Sequence, residues 1–365
     1  MKTITLGLMS GTSLDGVDAV AVDFQGNRIK LLGHHHVDYD ASMKSALLEL
    51  SSPGNNEIDK LGDISVTLAN LYAQTILELL DKTGISRSKL LAAGIHGQTV
   101  RHRPGHGWSL QLNYPALVSE LTGLDIVSDF RARDLAAGGE GAPLVPAFHN
   151  ALFRGENPRA VVNIGGIANI TILPSNHTRF SVNGYDCGPG NMLMDIWCKK
   201  HLGTDFDVNG TWAESGRVSQ TLLARLLSHP YFSKPAPKST GREDFNLPWL
   251  EENLGNETAE NVQATLLALT ATGIANAVKA SPYRVKEVFL CGGGALNPVL
   301  VTAIQGLCGN DVSVYSTEKL GVHPIHVEAM AFAWLTWAYF RGIPGNIREV
   351  THAAGPRVLG TLTQH

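Results

Sequence analysis

Cysteine is scarce in this chain, four in 365 residues, and Cys187, Cys198, Cys291 and Cys308 form neither a CxxC pair nor a metal-ligand spacing. That excludes a disulfide scaffold and a zinc site, and it fits reduced thiols in the cytoplasm. Charge is sparse too. Charged residues make up 17% and the formal net charge is −4, so there is no general nucleic-acid surface and any anion site must be local and built. The longest apolar run, residues 329–340, spans 12 positions. It is too short to cross a bilayer and suits a buried helix, so no membrane partner is expected. The opening MKTITLGLMSG has one lysine and no sustained apolar stretch, so no signal peptide is expected. No GxxxxGKS/T occurs, which excludes a Walker ATPase. Low-complexity linkers and charge blocks are also missing.

What is present starts with MSGTSLDGVD at residues 9–18, a glycine- and hydroxyl-rich loop between strand-like residues 4–8 and 19–24. Such a loop offers backbone N–H groups and small hydroxyls to an anion, because Gly11 and Gly16 let the chain approach closely. A dinucleotide-binding turn should open directly into a helix. Here AVAVDF alternates apolar and polar residues, turns at Gln25-Gly26-Asn27 and returns over residues 28–39. The pattern recurs: residues 160–164, Gly165-Gly166, residues 169–173, and a third strand at 180–185. A duplicated strand–glycine loop–strand–strand unit predicts an α/β chain of two ribonuclease H-like, actin-like ATPase domains with mixed sheets flanking an interdomain cleft. The domains are expected at 1–140 and 141–341, with the tail at about 342–365 packing back on the first. Helices are expected at 64–82, 192–201, 217–228, 259–280 and 327–341, and strands at 91–96, 287–291 and 357–362.

Two hairpin loops facing each other would clamp a triphosphate, Gly11, Thr12, Ser13 and Gly16 on one side, Gly165 and Gly166 on the other. A third loop, CGGGALNP at residues 291–298, ends a strand and opens a helix, leaving bare backbone for an adenine or ribose. Each loop alone reads more readily as a tight turn; their order and duplication carry the signal.

The chain also resembles a specific family. MSGTSLDGVD, HGQTVRHRP, FRARDLAAGGEGAPLVP, NIGGIANIT, YDCGPGN, STGREDFN and CGGGALNP are similar to the corresponding segments of the anhydro-N-acetylmuramic acid kinases. The resemblance implies an ATP- and Mg2+-dependent cytoplasmic homodimer of cell-wall recycling. Its reaction opens the 1,6-anhydro bond of the muramic sugar with water and phosphorylates the 6-hydroxyl. It assigns ATP contacts to Gly11, Thr12, Ser13, Leu14, Asp15, Gly16, Val17, Asp18, Gly165, Gly166, Gly292, Gly293, Gly294 and Asn297. The chain departs from many actin-like kinases at Leu8-Met9 and Asn163, where an Asp is often found, and at Cys187, where Thr is expected. Asp15 and Asp18 therefore both stand as candidate magnesium ligands.

Phosphoryl transfer demands positioning and charge stabilisation, plus one group to take the nucleophile's proton. Asp186 ends the third strand of the second copy just before GPGN, a placement that would hold its carboxylate in the cleft. The resemblance makes it the general base; the plainer reading is a helix N-cap. The substrate's lactyl carboxylate needs a cation, and Arg131 and Arg133 are the candidates, although they are also placed to pair with Asp129 and Asp134. His96 and Gln98 resemble sugar-contacting positions of related kinases. Glu328 opens an otherwise apolar helix, either as a charge on the helix dipole or as a second cleft carboxylate. His34-His35-His36 reads as an edge strand, since alternation leaves two ligands at most on one face. Trp334 and Trp337 are helix-spaced core. The rival readings are a conventional sugar or small-acid kinase and a non-catalytic actin-like scaffold.

Overall fold

The computed structural model describes residues 2–11, 13–25 and 28–365, so Thr12 and the turn expected at Gly26-Asn27 lie outside the described residues. The chain forms two compact units, one of Met1–Phe148 with His326–His365, the other of His149–Ile325. The sequence pattern drew them at 1–140 and 141–341. The differences are residues 141–148 and the helix Val327–Tyr339, which packs on the first sheet; both belong to the first unit.

In the first unit β1 (Ile4–Ser10), β2 (Gly16–Gln25) and β3 (Arg28–Asp38) form an antiparallel meander. β4 (Leu90–Arg103) and β6 (Ile126–Ser128) add in parallel on the β1 side, and β5 (Trp108–Leu112) hairpins back on β4. The sheet order is β3-β2-β1-β4-β6. Alternation along AVAVDF suggests one wet face. In fact Ala19, Val20, Ala21, Val22 and Phe24 are all buried, because the helices Glu57–Thr83 and Val327–Tyr339 both pack on β2. After Glu328 the second helix is almost wholly apolar for that reason, and Thr5 Oγ1 anchors it by donating to Ala333 C=O at 2.9 Å.

The second unit repeats the plan. β7 (Arg159–Ile164), β8 (Ile167–Leu173) and β9 (Asn183–Pro189) form the meander, with β10 (Glu287–Cys291) and β11 (Ser313–Ser316) parallel beside β7. The order β9-β8-β7-β10-β11 matches the first sheet strand for strand. The helix Ala259–Lys279 covers β8 and β9. Finally β12 (Thr361–Thr363) runs antiparallel to β6 in the first unit. The mixed α/β class with two mixed sheets is therefore observed. All four cysteines are free and buried.

Two local expectations shift. The third strand of the second copy starts at Asn183 and runs through Pro189, so Asp186 lies within β9, paired with Asn169, and Asn191 takes the N-cap position of the next helix. The histidine triplet does alternate, but each ring is partnered. His35 Nε2 meets Glu78 at 2.5 Å, His36 lies between Asp18 (2.9 Å) and Asp38 (3.3 Å), and the His34 ring packs at a tilt against His326.

Candidate functional site

In the first unit the loop between β1 and β2 is held from behind. Gln98, fully buried on β4, donates from Nε2 to Gly11 C=O at 3.1 Å and accepts from Tyr39 Oη at 3.2 Å. Its amide thus braces the loop. Leu14 N–H closes a turn onto Gly11 C=O, with Leu14 in the left-handed region at φ 61°, a strained setting for a leucine. Leu14, Gly16 and Val17 are buried, so they offer a ligand backbone only, whereas Ser13 and Asp15 are exposed. Asp18 is half-buried and His36 Nδ1 sits on its carboxylate at 2.9 Å. Burial raises its pKa, opposed by His36 and aided by the nearby charge of Asp15.

Beside this loop the structure brings His96, Arg131 and Glu328 together. Arg131 donates from Nε and Nη2 to His96 Nε2 (3.2 and 2.7 Å) and from Nη1 to Gly141 C=O at 2.7 Å. His96 Nε2 is therefore an acceptor, which puts the proton of the neutral ring on Nδ1. Burial and the adjacent guanidinium hold His96 well below its ordinary pKa, so the ring stays neutral. Burial lowers Arg131 to about 10, and the charges of Glu328 and Asp134 oppose that fall. Three of the five guanidinium N–H groups are used in these bonds. Glu328 sits half-buried in the first turn of the helix Val327–Tyr339. Arg133 is exposed on the short helix Ala132–Leu135. Asp134 does not pair with it; that buried carboxylate takes Gly141 N–H, Asn346 Nδ2 and Thr351 Oγ1 at 2.8, 2.6 and 2.7 Å.

In the second unit three glycine segments converge. Gly190 N–H and Asn191 N–H donate to Gly166 C=O and Gly165 C=O, both at 2.8 Å. Because a trans peptide sets N–H opposite C=O, the Gly165 carbonyl aimed at Asn191 turns the Gly166 N–H the other way, free of the helix start. A Cβ at Gly190 would collide with Gly165 O, so only glycine allows this approach. Gly292, at φ 77°, and Gly294 pack against Asn163 and Ile164 at the end of β7. Asn297 N-caps the helix Pro298–Cys308 through Leu300 N–H at 3.1 Å.

Asp186 precedes this cluster on β9. Thr240 N–H donates to its Oδ2 at 3.0 Å. Burial pushes its carboxyl up to about 6, the Thr240 bond opposing and Glu243 adding to the rise. A carboxyl so placed is ionised at neutral pH yet keen enough to take a proton. Thr240 and Asn191 escaped the sequence reading as site residues, although STGREDFN and YDCGPGN stood out as motifs; the missing information was which loop returns to β9. Among the described residues no cluster of three His, Cys, Asp or Glu side chains could hold a metal, and no helix is long and apolar enough to cross a membrane.

Comparison with known proteins agrees with this geometry. The family profile described as "Anhydro-N-acetylmuramic acid kinase" matches residues 3–365. A protein of that name from Nitrosomonas europaea is 51% identical over 362 residues, covering 98% of each chain. Another from Burkholderia cenocepacia is 50% identical over 368 residues, covering 98% of this chain and 96% of that one. Among solved structures, a reductive activator for a corrinoid, iron-sulfur protein superposes with a TM-score of 0.51 at 13% identity, over 96% of this chain and 63% of that one, a likeness of fold alone. The profile match over nearly the whole chain and these relatives place the chain in the anhydro-N-acetylmuramic acid kinase family, as a kinase.

Proposed function

We propose that the protein uses ATP and water to convert 1,6-anhydro-N-acetylmuramic acid into N-acetylmuramic acid 6-phosphate and ADP, as a cytoplasmic homodimer in murein recycling. Asp186 takes a proton from water as the water oxygen bonds to the anomeric carbon. The C1–O6 bond breaks, O6 bonds to the γ-phosphorus, and the bridging oxygen leaves with ADP. The single observation that supports this most is the Asp186 carboxyl, tuned to about 6 and oriented by one backbone N–H. A base in that state contributes roughly 10²–10⁴-fold.

The lactyl carboxylate of the sugar is assigned to Arg131 and Arg133, with His96 and Glu328 around Arg131 and Gln98 acting through the loop it braces. Phosphate oxygens are assigned to the backbone at 11–18 and to Gly165 and Gly166. Nucleoside contacts are assigned to Gly292, Gly293, Gly294 and Asn297. Magnesium binds through one or two carboxylates plus phosphates and water, and Asp15 and Asp18, whose charges lie close enough for Asp15 to raise the Asp18 pKa, fit that demand. Either would hold the ion, which would offset phosphate charge.

Turnover with magnesium-ATP and the anhydro sugar in 18O-labelled water tests the reading. The label should appear on the anomeric carbon and not in the phosphate. Phosphorylation without label at that carbon would mean a conventional kinase acting on a free hydroxyl.

A further inference from the structure

We propose that Thr240 and Asp244 are positioning residues for the base: the Asp244 carboxylate grips the Thr240 hydroxyl, and this fixes the Thr240 N–H on Asp186 Oδ2, leaving Oδ1 to receive the proton. The inference rests on Asp186 being the base and adds what holds it in register.

The loop from Tyr231 to Asp244 meets Asp186 at three points. Tyr231 Oη donates to Asp186 C=O at 2.5 Å, Asp186 N–H donates to Lys238 C=O at 3.0 Å, and Thr240 N–H reaches Oδ2 at 3.0 Å. The first two fix the backbone of Asp186, and only the third touches its carboxylate. Residues 234–246 have no helix or strand of their own, so local bonds alone set the direction of the Thr240 amide. Thr240 Oγ1 donates to Asp244 Oδ2 at 2.7 Å, and Asp244 N–H and Phe245 N–H both return to Gly241 C=O at 3.2 Å. These close a tight ring from 240 to 245. Phe245, fully buried among His229, Tyr231, Phe232 and Trp249, nails its far end into the core.

The charged and titratable groups around Asp186 make that amide matter. Glu243 and Asp244 of the same loop are acidic, and Cys187 and Tyr231 carry thiol and phenol protons that burial holds on. Across β8 the paired residue is the neutral Asn169. Lys238 turns its ammonium to the carbonyls of Tyr231 and Phe232, at 3.0 and 3.2 Å, and over the Tyr231 ring. Lys234, whose Nζ lies 5.9 Å from the Tyr231 ring centroid, and Arg242 are the loop's other cations. With acids around it, the carboxylate depends on the Thr240 N–H for its orientation and for part of its acidity.

The test compares Thr240→Val, Thr240→Ser, Asp244→Ala and their double variant with Asp186→Asn, each checked for folding by thermal unfolding. Thr240→Val and Asp244→Ala should each lower kcat about tenfold with KM for both substrates within about twofold. The acid limb of kcat/KM should move up by about half a pH unit or more, because an N–H turned away from Oδ2 no longer favours the ionised form. Thr240→Ser should restore both values, and the double variant should be no worse than either single one, since the two side chains act as one unit. An unmoved acid limb with unchanged kcat in Thr240→Val, or in Asp244→Ala should the first fail to fold, overturns the positioning role. If Asp186→Asn also turns over normally, the base assignment itself falls; if Asp186→Asn is inactive, only the positioning role does.

Discussion

At the scale of single residues, Asp186 carries opposite consequences for activity and stability. Its pKa is raised in the folded state, so the native protein binds this proton more tightly than the unfolded chain does. Stability therefore falls as pH climbs from the unfolded value of 3.8 through about 6, and the loss is complete above that. Asp186→Asn removes the buried charge. It should abolish product formation, keep ATP binding and stabilise the fold by roughly 1–3 kcal/mol at pH 8 but not at pH 4, raising the unfolding temperature only at the higher pH. Unfolding scans at the two pH values check this, and equal shifts at both would contradict it. Arg131 supplies a second expectation. A lysine cannot bridge His96 Nε2 and Gly141 C=O at once, so Arg131→Lys and Arg131→Ala should both raise KM for the sugar about tenfold or more with KM for ATP little changed. Equal losses for both substrates would signal general damage. Asp186 was legible as a candidate because its neighbours, GPGN, are local in sequence. The bracing role of Gln98 was not, because its partners Gly11 and Tyr39 lie far away along the chain.

At the scale of elements, the glycine turns were legible and the strand ends were not. Gly188 and Pro189 look like breakers, yet β9 continues through them, because pairing with Ala168 and Ile167 and a φ of 132° at Gly188 carry the ladder onward. Likewise β4 extends to Arg103 because β5 folds back on it. In both cases a partner strand overrides local preference. The close approach between the β7–β8 turn and the following helix gives a paired prediction. Gly190→Ala forces a collision with Gly165 O and should weaken ATP binding and lower the unfolding temperature. Gly62→Ala, in the exposed face of the helix Glu57–Thr83 with nothing near the added methyl, should stabilise by about 0.5–1 kcal/mol. Calorimetry on both variants decides whether crowding at Gly190, rather than glycine replacement in general, is responsible.

At the scale of the whole molecule, the duplication seen in sequence emerges as two sheets with one strand order. The return of the tail at about 342–365 to the first unit was expected; what periodicity alone did not reveal is that the helix Val327–Tyr339 belongs there too, since an apolar helix reads the same whichever sheet it covers. Residues 149–325 should therefore fold when excised, whereas residues 1–148 should not fold without residues 326–365 supplied alongside. Circular dichroism and thermal unfolding of the pieces test this; cooperative melting of 1–148 alone would refute it. The same discontinuity orders events on the ribosome. Synthesis of the 177 intervening residues takes roughly 10–35 s at about 5–20 residues per second. Through that interval the nascent amino-terminal sheet has left the exit tunnel while the helix that will cover it is still untranslated, so the segment made first is the last to become native and the one most exposed to chaperone capture.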